Sequence, residues 1–101
     1  MKINGLPKDF FVPLIDRAVK MLNPKKIILF GSFARGDYKK KSDIDLAFDI
    51  PPSKNWVLFK QWVEDEFQTL KPVDLIDLSK AEESLIKSVQ KEGMILYERK
   101  D

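Results

Sequence analysis

With 101 residues, 44% of them hydrophobic and 11% aromatic, the chain has material for one small core and reads as a single domain, 1–101. Cysteine and histidine are both absent, which excludes a disulfide scaffold, zinc sites built on thiolate or imidazole, and a histidine general base; carboxylates remain as the hard ligands, suited to magnesium or manganese. The net charge of +2 conceals a split, with ten Lys or Arg against three Asp or Glu in residues 1–41 and eight against thirteen in residues 42–101, which is either scattered surface charge or a basic side for a polyphosphate, a nucleic acid or another acidic partner.

No apolar run approaches a membrane span and the first residues do not read as a signal peptide, so a cytoplasmic protein that does not engage a membrane is expected. Residues 1–7 read as an extended lead-in. A first helix is expected from Lys8 or Val12 to Leu22, with Phe11, Ile15, Ala18 and Leu22 on one face and Pro13 in the first turn or at a kink. Asn23-Pro24 ends it. Lys26 to Phe30 reads as a strand. Its four consecutive apolar residues, Ile27 to Phe30, predict burial on both faces and a central place in a sheet. Gly31-Ser32 turns the chain, Phe33 to Arg35 forms a short helix, and Gly36 closes it. Asp37 to Lys41 is a polar, basic connection; Lys39, Lys40 and Lys41 are either a solvated loop or substrate contacts.

Asp43 to Ile50 alternates with a period of two: Asp43, Asp45, Ala47 and Asp49 point one way, Ile44, Leu46, Phe48 and Ile50 the other. Pro51-Pro52 stops this second strand. A helix follows from near Ser53 to Leu70, with Phe59, Val63, Phe67 and Leu70 as its apolar stripe and Trp56 and Trp62 as core or rim. Pro72 or Val73 to Leu78 reads as a third strand. Ser79 with Glu82 three residues on has the form of a capping box opening a last helix, whose inner face is Leu78, Ala81, Leu85 and Val89. Gly93 ends that helix and Met94 to Tyr97 forms a short final strand. The expected fold is α/β (α+β), a small mixed sheet packed with helices in the order α-β-α-β-α-β-α-(β).

Asp43 and Asp45 leave one face of a strand one residue apart. Like charges so close repel unless neutralised, which a divalent cation does and which a solvated polar face also tolerates. Asp74 shares its face with Ile76 and Leu78, and a carboxylate on an otherwise apolar face is costly unless paired or metal-bound. If the second and third strands are neighbours, Asp74 completes a carboxylate triad. Asp77 lies on the other face, solvated or near the start of the last helix. At the turn, Gly31 allows close backbone approach to a phosphate, the Ser32 hydroxyl adds a hydrogen bond, and Arg35 either contacts phosphate or pairs with a neighbouring Asp. A P-loop is excluded: Gly31 and Gly36 have its glycine spacing, but Asp37-Tyr38 stands where that motif needs Lys and Ser or Thr.

Gly31-Ser32, ten intervening residues, then Asp43-Ile44-Asp45 resembles the G-S-x10-D-x-D motif of the DNA polymerase β-like nucleotidyltransferase superfamily, and the fuller GSFARG…SDIDL is similar to its minimal nucleotidyltransferase (MNT) branch. The segment VDLID around Asp74 resembles the strand that bears the third carboxylate of that family. The resemblance implies a catalytic core that moves a nucleoside monophosphate, AMP from ATP above all, to a hydroxyl acceptor with release of pyrophosphate. It implies two Mg2+ ions bound by Asp43 and Asp45, with Asp74 binding the catalytic ion and helping to deprotonate the acceptor; Gly31, Ser32 and Arg35 would hold the triphosphate. It also implies assembly with a HEPN-domain protein, the toxin of a toxin–antitoxin pair, adenylylated on a tyrosine. Two other roles stay open: a non-catalytic antitoxin that covers its partner, and an enzyme acting on a small molecule or an RNA end.

Overall fold

The computed structural model describes residues 6–7, 9–39, 42–67 and 72–100. Helix α1 (Val12–Leu22) takes Pro13 in its first turn, where no N–H partner is lost, and ends at Asn23 in the left-handed conformation. Then come β1 (Lys26–Phe30), the one-turn α2 (Ser32–Arg35), β2 (Ile44–Asp49), α3 (Trp56–Asp65), β3 (Val73–Asp77), a single 3-10 turn (Leu78–Lys80), α4 (Glu83–Glu92) and β4 (Met94–Glu98). The expected order of elements and the mixed sheet are both present. Among the described residues the sheet has four strands in the order β3-β2-β1-β4. β1 pairs antiparallel with β2 and β4, and β2 pairs parallel with β3.

Each face of the sheet has its own core, which is why β1 needs four apolar residues in a row. Ile27 and Leu29 join Ile44, Leu46, Phe48 and Ile50 under α1 (Leu14, Ala18, Leu22) and α3 (Phe59, Val63). Ile28 and Phe30 join Ala47 under Val89 of α4, with Ile76, Leu78 and Leu85 at the margin. The alternation expected for the second strand therefore holds, as does the central position of the first. Trp56 and Trp62 flank the larger core, and the Arg17 guanidinium lies 4.9 Å over the Trp62 ring.

Several boundaries differ from expectation. Helix α3 starts at Trp56 and not near Ser53: the Ser53 hydroxyl accepts the Asn55 N–H (3.0 Å), a local bond that competes with helix, and Asn55 Nδ2 donates to the Met21 carbonyl (2.9 Å). Ser79 does not cap α4. Asp77 accepts both the Ser79 backbone N–H (2.9 Å) and its hydroxyl (2.7 Å), which starts the 3-10 turn; α4 begins at Glu83, with Glu82 in the cap position and no side-chain cap. Asp43 lies just before β2. Helix α3 also ends at Asp65, with Glu66 in the C-cap position, short of the expected end at Leu70; Lys8, Lys40, Lys41 and Leu70 itself lie outside the described residues. Among the described residues no helix is long and apolar enough to cross a membrane.

Candidate active site

The site forms where β1 ends. Phe30, its last residue, is opposite Asp45 in the antiparallel register, and Asp45 is opposite Asp74 in the parallel register of β2 and β3. Ile44 N–H donates to the Pro72 carbonyl (2.9 Å), extending the β2–β3 contact toward Asp43. The strand pleat puts Asp45 and Asp74 on the α4 side of the sheet, with Ala47 and Ile76. The condition set by the sequence, neighbouring second and third strands with Asp74 beside Asp45, is therefore met.

Gly31 is turned into this corner. Its φ of 76° and ψ of −156° fall in a region essentially reserved for glycine. A Cβ placed there would run into Asp45 Oδ2. The bend and Asp45 are thus in contact, with no wall between them. Ser32 opens α2, Phe33 is buried below it, and Tyr38 stacks on Phe33 with ring centroids 4.7 Å apart. Gly36 closes α2 in the left-handed conformation, as expected.

Burial holds the Asp45 carboxyl above its ordinary pKa, and the negative charges of Asp74 and Asp43 push it the same way; Arg35 acts against them. Asp43 and Asp74 are exposed. Among the described residues, no group of three acidic side chains stands close enough to cage an ion unaided. The donor set still suits magnesium, which takes one or two carboxylates, keeps several waters and completes its shell with substrate phosphates. A cation brought in with a nucleotide would also relieve the repulsion at Asp45.

Arg35 makes both contacts that the sequence could anticipate only in part. Its Nε donates to Asp37 Oδ2 (3.2 Å), the neighbouring-Asp pairing foreseen, and its Nη1 donates to Glu92 Oε2 (2.9 Å) at the end of α4. These bonds to Glu92 and then Asp37 raise the Arg35 pKa, so the group is a fixed cation. Glu92 carries no motif and lies 57 residues away, so only the fold brings it here. Asp77 is spent on Ser79 and is not part of the site.

Residues 14–101 match the family described as "Polymerase beta, Nucleotidyltransferase". A 22-residue stretch is 77% identical to a Methanocaldococcus jannaschii protein provisionally named a protein adenylyltransferase; the match spans 22% of this chain and 22% of that protein. Among solved structures, a toxin–antitoxin crystal structure with AMP-PNP is similar over 94% of this chain and 76% of its own, at 27% identity and a TM-score of 0.68. A Tyr-to-Ala variant of the toxin–antitoxin MntA-HpeT is similar over 94% and 75%, at 26% identity and a TM-score of 0.66. A second MntA-HpeT structure, with two Asp-to-Glu changes two residues apart, gives 94% and 76%, 25% identity and 0.67.

Proposed function

The chain belongs to the polymerase beta nucleotidyltransferase family, and from that premise we propose that it transfers AMP from ATP to a hydroxyl, the acceptor being a tyrosine on a HEPN-domain toxin that is silenced by the modification. The observation that carries this reading is the corner at Asp45, which meets Asp74 across the parallel strand pair and Gly31 across the bend. The solved relatives support it. One holds an ATP analogue. Another was altered at two aspartates with the same spacing as Asp43 and Asp45. The name of the archaeal relative supports a protein acceptor.

In this mechanism Gly31 lets the backbone approach the triphosphate, the Ser32 hydroxyl adds a hydrogen bond and Arg35 adds charged N–H donors. Asp74 accepts the proton of the acceptor hydroxyl as its oxygen attacks the α-phosphorus. The bond from that phosphorus to the β-phosphate oxygen breaks and pyrophosphate leaves. Two magnesium ions, held by Asp43, Asp45 and Asp74, would cancel charge on the carboxylates and phosphates and draw electrons from the phosphorus. The chain's own contribution is to hold the groups in line.

The test is incubation with magnesium, ATP labelled at the α-phosphate and the protein encoded beside it. Label on a partner tyrosine is expected, and the Asp43→Ala, Asp45→Ala double variant should reduce it to background. Equal labelling by the double variant would end the enzymatic reading. The open arrangement of the acids favours one second reading, neutralisation by covering the partner. In that case the same double variant still binds and still neutralises.

A further inference from the structure

We propose that Glu92 is a positioning residue that aims Arg35 at the terminal phosphates of the nucleotide, an inference that rests on the nucleotidyltransferase reading and adds a residue to it. Arg35 ends α2, and its backbone N–H donates to the Gly31 carbonyl (3.0 Å), so the side chain starts from the phosphate-facing bend itself. The guanidinium is then fixed from two directions, by Asp37 at Nε and by Glu92 at Nη1. Both Nη2 hydrogens are uncommitted among the described residues, which is the supply a phosphate oxygen needs. The positive charge already reaches Asp45 from this position.

Glu92 is suited to the task because its own backbone is immobilised. The next residue, Gly93, packs so closely that a Cβ would collide with the Val89 carbonyl and Ile28 Cγ2. Val89 is buried against Ile28 and Phe30 of β1. The end of α4 that carries Glu92 is therefore packed on the same strand whose end forms the bend. Its own helix gives no reason for an acid there, since a negative charge in the last turn opposes the helix dipole. A residue that is unfavourable for its helix and bonded across the fold to a functional candidate is explained by that candidate. A long, flexible arginine is otherwise costly to order at each binding event, and a fixed partner removes part of that cost.

The experiment measures affinity for a non-hydrolysable ATP analogue and for AMP, both with magnesium, in the wild type, Glu92→Ala, Glu92→Gln, Arg35→Ala and the Arg35→Ala, Glu92→Ala double variant. Glu92→Ala is expected to weaken the ATP analogue by roughly 3- to 10-fold, in the range of contacting pairs, and to leave AMP within 2-fold. Glu92→Gln, which keeps an acceptor oxygen, should recover part of the loss. In the Arg35→Ala background, removing Glu92 should change nothing further. A tighter or unchanged ATP analogue in Glu92→Ala, or an equal loss with and without Arg35, overturns the proposal. A wild type that binds no ATP analogue overturns the parent reading and this one with it; wild-type binding that ignores Glu92 overturns this one alone.

Discussion

At the scale of single residues, two positions in the corner are held against their preference. Gly31 has a backbone conformation that costs other residues about 1–3 kcal/mol, and the carboxylate of Asp45 fills the space a side chain would need. Gly31→Ala is therefore expected to lower the unfolding free energy by at least about 1–3 kcal/mol in denaturant titration, and to move Asp45. Asp45 itself binds its proton more tightly in the folded protein than in the unfolded chain, chiefly through burial and then through Asp74 and Asp43. For an acid so shifted, the favourable contribution is complete below the unfolded pKa and disappears as the pH rises through the folded one. Asp45→Asn should therefore raise the melting temperature at neutral pH, with a gain that shrinks toward acid, while nucleotidyl transfer is lost. A variant that melts lower at neutral pH than at acid, relative to wild type, would contradict this account of the carboxylate.

At the scale of elements, what could be read along the chain was whatever repeats locally. The period of two in residues 44–49 separated carboxylates from core because the two faces meet different surroundings, α4 on one side and α1 with α3 on the other. The meeting of Gly31 with Asp45, and of Asp45 with Asp74, was legible because a turn and two strands keep these residues in fixed order. Glu92 was not, because a partner 57 residues distant leaves no local trace. Ser79 misled for a related reason. The S-x-x-E spacing is a cap only where the serine itself opens the helix, and here Ser79 is held by Asp77 in the 3-10 turn, four residues before α4 begins. Asp77→Ala is accordingly expected to cost about 1 kcal/mol, the usual value of a lost cap, in equilibrium unfolding. Glu82→Ala, with no cap bond to lose, should be close to neutral in the same measurement.

At the scale of the whole molecule, the division of charge between the two halves of the sequence does not survive folding as a division of the surface. β1, from the basic half, lies between β2 and β4 of the acidic half. Lys26 accordingly pairs with Glu98 (3.7 Å) and Arg35 with Glu92. Around the corner, Asp43 and Asp74 act on Asp45, and Asp37 and Glu92 on Arg35, so five acids stand against one cation. A bare triphosphate would be repelled there, so affinity for the ATP analogue should fall to background when divalent cations are chelated. Calorimetry with and without a chelator measures this, and binding that persists without the cation would refute the electrostatic argument.

The register that joins β1 to β4 has a further consequence during synthesis. Residues 26–29 find their second neighbour only at residues 94–98, so a nascent chain holds its central strand half-paired until those later residues have been made. Closure between such remote segments is entropically slow. For that interval the ladder groups of β1 that later meet β4 are open to other chains, and this is the stage at which aggregation and chaperone binding compete with completion of the sheet.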